Sequence, residues 1–100
     1  MVRKDGIFHW EGFKWDEGNL FKNWEKHGVT ALECEQIFFN NPLLTEKAEK
    51  RSENETRYYA LGITDAKRKL FIAFTIRRNR IRVISARNMN RGERKAFDTL

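Results

Sequence analysis

Three apolar runs in the second half of the chain constrain its fold more than any other feature. They cover residues 57–64, 70–77 and 80–87, and each is rich in β-branched and aromatic side chains. Only Asp65 to Lys69 separates the first two, and only Arg78-Asn79 separates the last two. Runs of this length and composition predict strands, and such short connections join antiparallel neighbours. The sequence therefore predicts a three-stranded antiparallel meander.

Alternation along these runs predicts which side chains share a face of the sheet. The middle run is apolar on both faces, as is typical of a central strand, with Leu70, Ile72, Phe74 and Ile76 on one face and Phe71, Ala73, Thr75 and Arg77 on the other. In the last run, strict alternation places four side chains together, namely Ile81, Val83, Ser85 and Arg87. We therefore expect the Ser85 and Arg87 side chains to lie together at the end of an otherwise apolar face.

Two helices are predicted ahead of the meander. The first covers residues 17–27, with Asp16 as its N-cap and Gly28 as its stop. The second opens with a capping box formed by Thr30 and Glu33, and it ends at Asn40-Asn41-Pro42. Because few residues join the two helices, both apolar stripes are expected to face the same core.

The remaining segments complete an α+β prediction. Residues 7–15 predict a short N-terminal strand or hairpin, residues 45–56 the longest exposed loop, and residues 91–100 a short closing helix. Asn90 and Glu93 would cap that helix, hold Arg87 and offer backbone amides to a phosphate. We expect one domain over residues 1–100, with residues 1–12 as an extension or edge strand, in which an antiparallel sheet packs against two consecutive helices.

The charge balance favours an acidic partner. The chain carries 20 Lys and Arg against 14 Asp and Glu, a net charge of +6. Nucleic acid would satisfy this excess, and so would an acidic protein. The single Cys34 suits a reducing compartment, no apolar targeting segment follows the charged first residues, and no run is long enough to span a bilayer. We therefore expect a cytoplasmic chain without membrane contact.

Several kinds of chemistry lack their usual residues. Two distant histidines, one cysteine and no paired acids on a strand do not make a metal site, and no glycine-rich phosphate loop is present. Cys34 falls on the apolar stripe of the second helix, which favours core packing. We expect neither a metal nor a cofactor.

Cations at the ends of predicted elements remain as candidates for chemistry. They are Lys26 and His27 at the end of the first helix, Arg57 at a strand start, and Arg77 and Arg87 at strand ends. RNA supplies its own nucleophile, since a 2′-hydroxyl attacks the neighbouring phosphate when one group accepts its proton and cations stabilise the phosphorane. Arginine suits the stabilising task because its planar fork binds phosphate oxygens in pairs.

Each candidate also has a structural interpretation. His27 followed by Gly28 is a common helix end, Lys26 could be a solvated lysine, and Arg57 could pair with Glu55 or another acid of the loop. Core packing competes with base stacking for the three tryptophans, Trp10, Trp15 and Trp24.

The order of short motifs resembles the BrnT family of toxins from bacterial type II toxin–antitoxin systems, which are RelE-like ribonucleases. The most specific pieces are Trp15-Asp-Glu, Lys26-His-Gly-Val and Ile84-Ser-Ala-Arg, in that order and spacing. The chain departs from the family at Ala31-Leu32, where an aromatic residue followed by an acid is usual, and in residues 1–12.

The resemblance implies a compact RelE-like toxin that cleaves mRNA without a metal. It also implies a hetero-oligomer with a BrnA-like ribbon-helix-helix antitoxin, through which alone the complex would contact DNA. By motif position, the implied active-site residues are Lys26, Glu33, Arg57, Arg77 and Arg87, with His27 as a further candidate.

These observations together predict a metal-independent endoribonuclease that works through 2′-hydroxyl attack and inhibits translation and growth. Arg57, Arg77 and Arg87 would hold the phosphate, and Lys26 or His27 would transfer protons. The alternative hypothesis is a non-catalytic module that binds nucleic acid or docks an acidic protein.

Overall fold

The protein is built on a mixed β-sheet, seen here in a computed structural model that describes residues 2–3, 9–18, 26–48 and 55–99. Six strands are described: β1 (Val2–Arg3), β2 (Gly12–Phe13), β3 (Leu44–Lys47), β4 (Tyr58–Ile63), β5 (Lys69–Arg77) and β6 (Arg80–Asn88). Their order across the sheet is β1-β3-β4-β5-β6-β2. Two complete helices, α1 (Ala31–Phe39) and α2 (Arg91–Asp98), pack on this sheet, so the predicted α+β class is confirmed.

The predicted meander is present as β4, β5 and β6, each antiparallel to the next. β5 lies in the interior of the sheet, as its two apolar faces indicated. On one face Leu70, Ile72 and Phe74 are fully buried against residues of α1, and we call this the α1 face. On the other face Phe71 packs with Phe97 of α2, and we call this the α2 face.

A bulge in β6 changes the predicted alternation. The register between β5 and β6 shifts between Ala73 and Phe74, so β6 contains one extra residue at this point. Ala86, rather than Ser85, is therefore buried on the α1 face with Ile81 and Val83. The prediction that Ser85 and Arg87 continue that apolar face is wrong, because the bulge turns both toward α2.

Helix α1 begins and ends where the sequence predicted. The Thr30 hydroxyl accepts from the Glu33 amide, the Glu33 carboxylate accepts from the Thr30 amide, and Asn40 is the C-cap. Gly28 has φ of 62°, the left-handed conformation expected of a helix stop. Of the predicted first helix, residues 17–18 and 26–27 are helical, and residues 19–25 lie outside the described residues.

Helix α2 covers only one end of its face. Its predicted capping box is present, with Asn90 and Glu93 bonding each other's backbone amides at 2.8 Å. Phe97 is buried in a small cluster with Leu44, Leu61 and Met89. The α2 face near the β5–β6 hairpin thus lies beyond this cluster.

The outer strands differ from prediction. Residues 44–47 form β3 rather than the start of a loop, because Leu44 and Thr45 are buried while β3 pairs with β4 and β1. Residues 49–54 of the predicted loop lie outside the described residues. The described part of residues 7–15 contributes a two-residue strand, not a hairpin, and β2 runs parallel to β6, so the sheet is not wholly antiparallel.

Candidate functional site

A group of charged residues lies on the α2 face near the β5–β6 hairpin, and we call it the hairpin-end cluster. Arg77 pairs across the sheet with Arg80, and Arg82 pairs with Thr75 two residues further along β5. Arg57 precedes Tyr58, the first residue of β4. The cluster consists of three arginines and two acids, namely Arg57, Arg77, Arg82, Asp16 and Glu55.

Glu55 is the electrostatic centre of this cluster. The Arg77 Nε donates a hydrogen bond to Glu55 Oε1, and Arg82 Nη2 lies 3.4 Å from Asp16 Oδ2. The hydrogen bond from Arg77 lowers the Glu55 pKa below its usual range, slight burial opposes it, and the charges of Arg77, Arg82 and Arg57 lower it further. Glu55 is therefore ionised at neutral pH.

Thr75 forms the buried floor of the same region. It is 1% exposed although it belongs to the face that α2 leaves uncovered. Within the described part of the chain its Oγ1 has no hydrogen-bond partner. The hairpin-end cluster therefore lies over a strand position that solvent does not reach.

A second charged group surrounds Arg68 at the opposite end of the sheet, and we call it the Arg68 junction. Arg68 Nη1 donates to the Gly28 carbonyl at 2.9 Å and to Glu33 Oε2 at 3.1 Å, and Nη2 donates to the His27 carbonyl at 3.0 Å. Its Nε donates to Asn88 Oδ1 at 2.7 Å. This one guanidinium therefore ties the start of α1 to the end of β6.

Glu33 is part of the Arg68 junction. Burial raises its pKa, but hydrogen bonds from the Thr30 amide and Arg68, together with the Arg68 charge, outweigh burial and leave the pKa lowered. The Glu33 carboxylate thus caps the start of α1 and also binds Arg68. The side chains of Lys26 and His27 are exposed beside this junction.

Arg87 is held by the helix that follows it. Its Nη1 and Nη2 donate to the two carboxylate oxygens of Glu93 at 2.8 and 3.0 Å, and its guanidinium lies 4.1 Å from the centre of the Phe71 ring. The predicted support of Arg87 by the helix cap is confirmed. The Glu93 carboxylate accepts hydrogen bonds from both the Asn90 amide and Arg87. It therefore lies at the start of α2, where a phosphate was expected.

The six predicted site residues do not converge on one point. Arg57 and Arg77 belong to the hairpin-end cluster, whereas Lys26, His27 and Glu33 belong to the Arg68 junction. Arg87 pairs with Phe71, six residues along β5 from Arg77, or about 20 Å. Because β5 and β6 are antiparallel, their last residues lie at opposite ends of the sheet.

Four charged residues of these groups were missed as site candidates, namely Asp16, Glu55, Arg68 and Arg82, and Asp16 appeared in the sequence only as an N-cap. Arg82 follows from the register of the hairpin, since a strand partner of Thr75 must lie beside Arg77. Glu55 appeared in the sequence only as a partner for Arg57, yet it bonds Arg77 instead. Arg68 lies in a turn, and its partners are 20 to 41 residues away in sequence, so no local pattern predicts them.

Trp10, Trp15 and Cys34 serve the core. Trp10 packs against Phe38 and Phe39, Trp15 Nε1 donates to Glu35 Oε2 at 2.8 Å, and Trp24 lies outside the described residues. Cys34 is fully buried, and burial raises the pKa of its thiol to about 12. The prediction of core packing for Cys34 is confirmed.

Two further searches concern the described residues only. They contain no group of three or more His, Cys, Asp or Glu side chains that could hold a metal ion. None of their helices combines the length and the apolar character that crossing a membrane requires.

Comparison with known proteins identifies a family. The family model described as "Ribonuclease toxin, BrnT, of type II toxin-antitoxin system" matches residues 15–93. No curated protein matches the chain. The matched stretch includes every member of the hairpin-end cluster and of the Arg68 junction.

Proposed function

The chain belongs to the BrnT family of ribonuclease toxins of type II toxin–antitoxin systems, and from this premise we propose that its active site is the hairpin-end cluster. The protein would be a cytoplasmic endoribonuclease with a RelE-like fold, which cleaves mRNA without a metal and so inhibits translation and growth. The observation that carries the proposal is the grouping of three arginines around one ionised carboxylate, on the part of the sheet face that α2 does not cover.

The cluster offers the groups that RNA cleavage needs. Arg57 and Arg77, joined by Arg82, would bind the scissile phosphate and stabilise the charge that grows on the phosphorane. Glu55, the ionised carboxylate of the cluster, would accept the proton of the attacking 2′-hydroxyl, although the hydrogen bond from Arg77 lowers its pKa and therefore its basicity. The bond from phosphorus to the 5′-oxygen then breaks, water protonates that oxygen, and the hydroxide left behind takes the proton from Glu55, which restores the carboxylate.

The other predicted site residues take different places in this proposal. Arg87 is bonded to Glu93, so it would hold α2 in place and contact RNA only at a distance from the scissile phosphate. Glu33 would stabilise the fold through Arg68. Lys26 and His27 remain candidates for proton transfer only if the reacting phosphate binds at the Arg68 junction.

The family name implies an antitoxin partner. We propose that this partner is BrnA-like, with a ribbon-helix-helix domain that carries all DNA contact of the hetero-oligomer. The net charge of +6 and the arginines of the hairpin-end cluster, of which Arg77 is exposed and Arg57 and Arg82 are half-buried, support an acidic antitoxin segment that covers the site.

RNA cleavage in excess EDTA tests the proposal directly. We expect the purified chain to cut RNA and leave 2′,3′-cyclic phosphate and 5′-hydroxyl ends. Arg77→Ala should lower the cleavage rate by about 100-fold or more, the usual effect of removing one donor to a developing oxyanion. Glu55→Gln should also slow cleavage and remove the acidic limb of the pH–rate profile.

Three other results would contradict it. Salt-sensitive binding of intact RNA would favour the non-catalytic nucleic-acid-binding module. Equal cleavage by wild type and Arg77→Ala would place the site elsewhere. Losses confined to Lys26→Ala and His27→Ala would move it to the Arg68 junction.

A further inference from the structure

A cationic hollow adjoins the hairpin-end cluster at the turn between β5 and β6. It has a volume of about 560 Å³, within the range of small-ligand sites, and its lining consists of Glu11, Lys14, Arg77, Arg78 and Arg80. Backbone hydrogen bonds from Glu11 to Asn79 and from Lys14 to Ile81 hold one wall in place. Four cations therefore face one carboxylate in a defined concavity.

The turn itself is conformationally costly. Arg78 has φ of 50° and Asn79 has φ of 64°, so both are left-handed, as a two-residue turn between twisted strands requires. Asparagine tolerates this conformation, whereas arginine does not favour it. Asparagine or glycine would suit the backbone at this position better than arginine, which points to a use for the Arg78 side chain.

The pairing beside the turn is also unfavourable. Arg77 and Arg80 lie directly opposite each other, so two like charges share one face of the hairpin. A neutral or acidic residue at either position would stabilise the pair. The left-handed Arg78 and the Arg77–Arg80 pair therefore both destabilise the hairpin, and both raise the positive potential in the hollow.

The described residues supply little charge to neutralise this potential. Within the described residues, Lys14, Arg78 and Arg80 form no hydrogen bond or ion pair through their side chains. Glu11, the one acid of the lining, lies 3.5 Å from His9 Nε2, and Arg77 shares its charge with Glu55. An anion bound between the three unpaired cations would offset their repulsion.

We propose that the hollow is a phosphate subsite for the nucleotide next to the cleaved one. The inference rests on the proposed function and extends it, because Arg77 belongs to both the hollow and the hairpin-end cluster. The Arg77–Arg80 and Thr75–Arg82 pairs are two residues apart, about 7 Å, which is the order of one backbone step of an extended RNA strand. This continuity favours RNA over an acidic protein.

The test compares two matched variants. Arg78→Asn and Lys67→Asn each remove one positive charge from an exposed turn residue with positive φ, and Lys67 lies at the opposite end of the sheet. The probe is a 2′-O-methyl oligoribonucleotide, which binds but cannot be cut. Arg78→Asn should weaken binding by about 5- to 10-fold at low salt and reduce the salt exponent by about 0.7, the value for one phosphate contact on a single strand.

Lys67→Asn should change neither quantity, and Arg78→Lys should restore most of the affinity. Thermal unfolding checks that Arg78→Asn folds, which we expect because asparagine suits the turn. Equal affinities of wild type, Arg78→Asn and Lys67→Asn for the oligonucleotide would overturn the subsite. The subsite would also be overturned if Arg78→Asn weakened binding to polyglutamate but left binding to the oligonucleotide unchanged.

The same proteins separate this inference from the proposed function. Cleavage of ordinary RNA by wild type, with binding unaffected by Arg78→Asn, overturns the subsite and supports the nuclease. Binding that depends on Arg78, without cleavage, supports the subsite and overturns the nuclease. Absence of both binding and cleavage overturns both.

Discussion

The hairpin-end cluster and the Arg68 junction are both rich in arginine, but they differ in how completely the protein satisfies those arginines. Arg68 donates to two backbone carbonyls, one carboxylate and one side-chain amide. Arg77 bonds one carboxylate, and Arg57 has no side-chain hydrogen bond to the described residues. The hydrogen-bond donors of Arg68 are therefore satisfied by the described residues, whereas the arginines of the hairpin-end cluster retain donors for a ligand.

This difference separates structural from functional arginines. A guanidinium carries five donors, and a partly buried one gains stability when protein acceptors take most of them. Arg87 is intermediate, because Glu93 binds it in two places while its position on the α2 face keeps it beside the proposed RNA path. Variants can test each case separately.

Loss of the Arg68 side chain should have the largest effect on stability. Arg68→Ala removes the link between α1 and β6 and leaves Glu33 without its cation, so we expect a loss of about 2 to 3 kcal/mol in the free energy of unfolding. Denaturant unfolding measures it. Arg91→Ala, which changes an exposed residue of α2, is the control and should cost less than about 0.5 kcal/mol. Equal small losses would refute a structural role.

Glu93→Gln should cost less, and its cost should depend on pH. Glutamine keeps the capping geometry but removes the charge that binds Arg87. Burial raises the Glu93 pKa, but the hydrogen bonds of Arg87 and the Asn90 amide outweigh it and leave the pKa below its ordinary value of 4.5. The contribution of Glu93 is therefore complete above about pH 4.5 and is lost as pH falls through the lowered folded-state pKa.

We expect Glu93→Gln to lower the free energy of unfolding by about 1 to 2 kcal/mol at pH 7. Unfolding curves from pH 7 to pH 2.5 would measure how far the two proteins converge in acid. A difference that stays constant over this range would show that the charge of Glu93 is not what stabilises the fold.

Asp98→Asn should have the smallest effect. Lys69 Nζ lies 2.7 Å from Asp98 Oδ1, a good distance, but the Asp98 side chain is 52% exposed. An exposed pair contributes little, so the loss should stay below about 0.5 kcal/mol and vanish in high salt. A loss near that of Arg68→Ala would show that burial and acceptor number do not separate the two regions.

Local patterns were enough to predict much of the fold. Alternation over residues 70–77 predicted the central strand, and the capping pairs led by Thr30 and Asn90 predicted both helix starts. Gly28 stops a helix because its left-handed conformation is a property of that residue. Each of these features depends on residues within about four positions of one another.

Features that depend on distant residues were not predictable in this way. The bulge in β6 is visible only in its pairing with β5, and it decides the face on which Arg87 lies. β3 carries only two buried residues, so its pattern resembles a loop. The grouping of Glu55 with Arg77 and Arg82 requires three chain segments to meet, and only the sheet register brings them together.

Cleavage rate and unfolding free energy, measured side by side for Arg77→Ala and Arg68→Ala, test the central distinction most directly. Arg77→Ala should lose about 100-fold or more in cleavage rate while its unfolding free energy stays within about 0.5 kcal/mol of wild type. Arg68→Ala should lose about 2 to 3 kcal/mol of stability while the folded fraction cleaves RNA at the wild-type rate. The reverse pattern, in which Arg68→Ala abolishes cleavage and Arg77→Ala does not, would contradict the account.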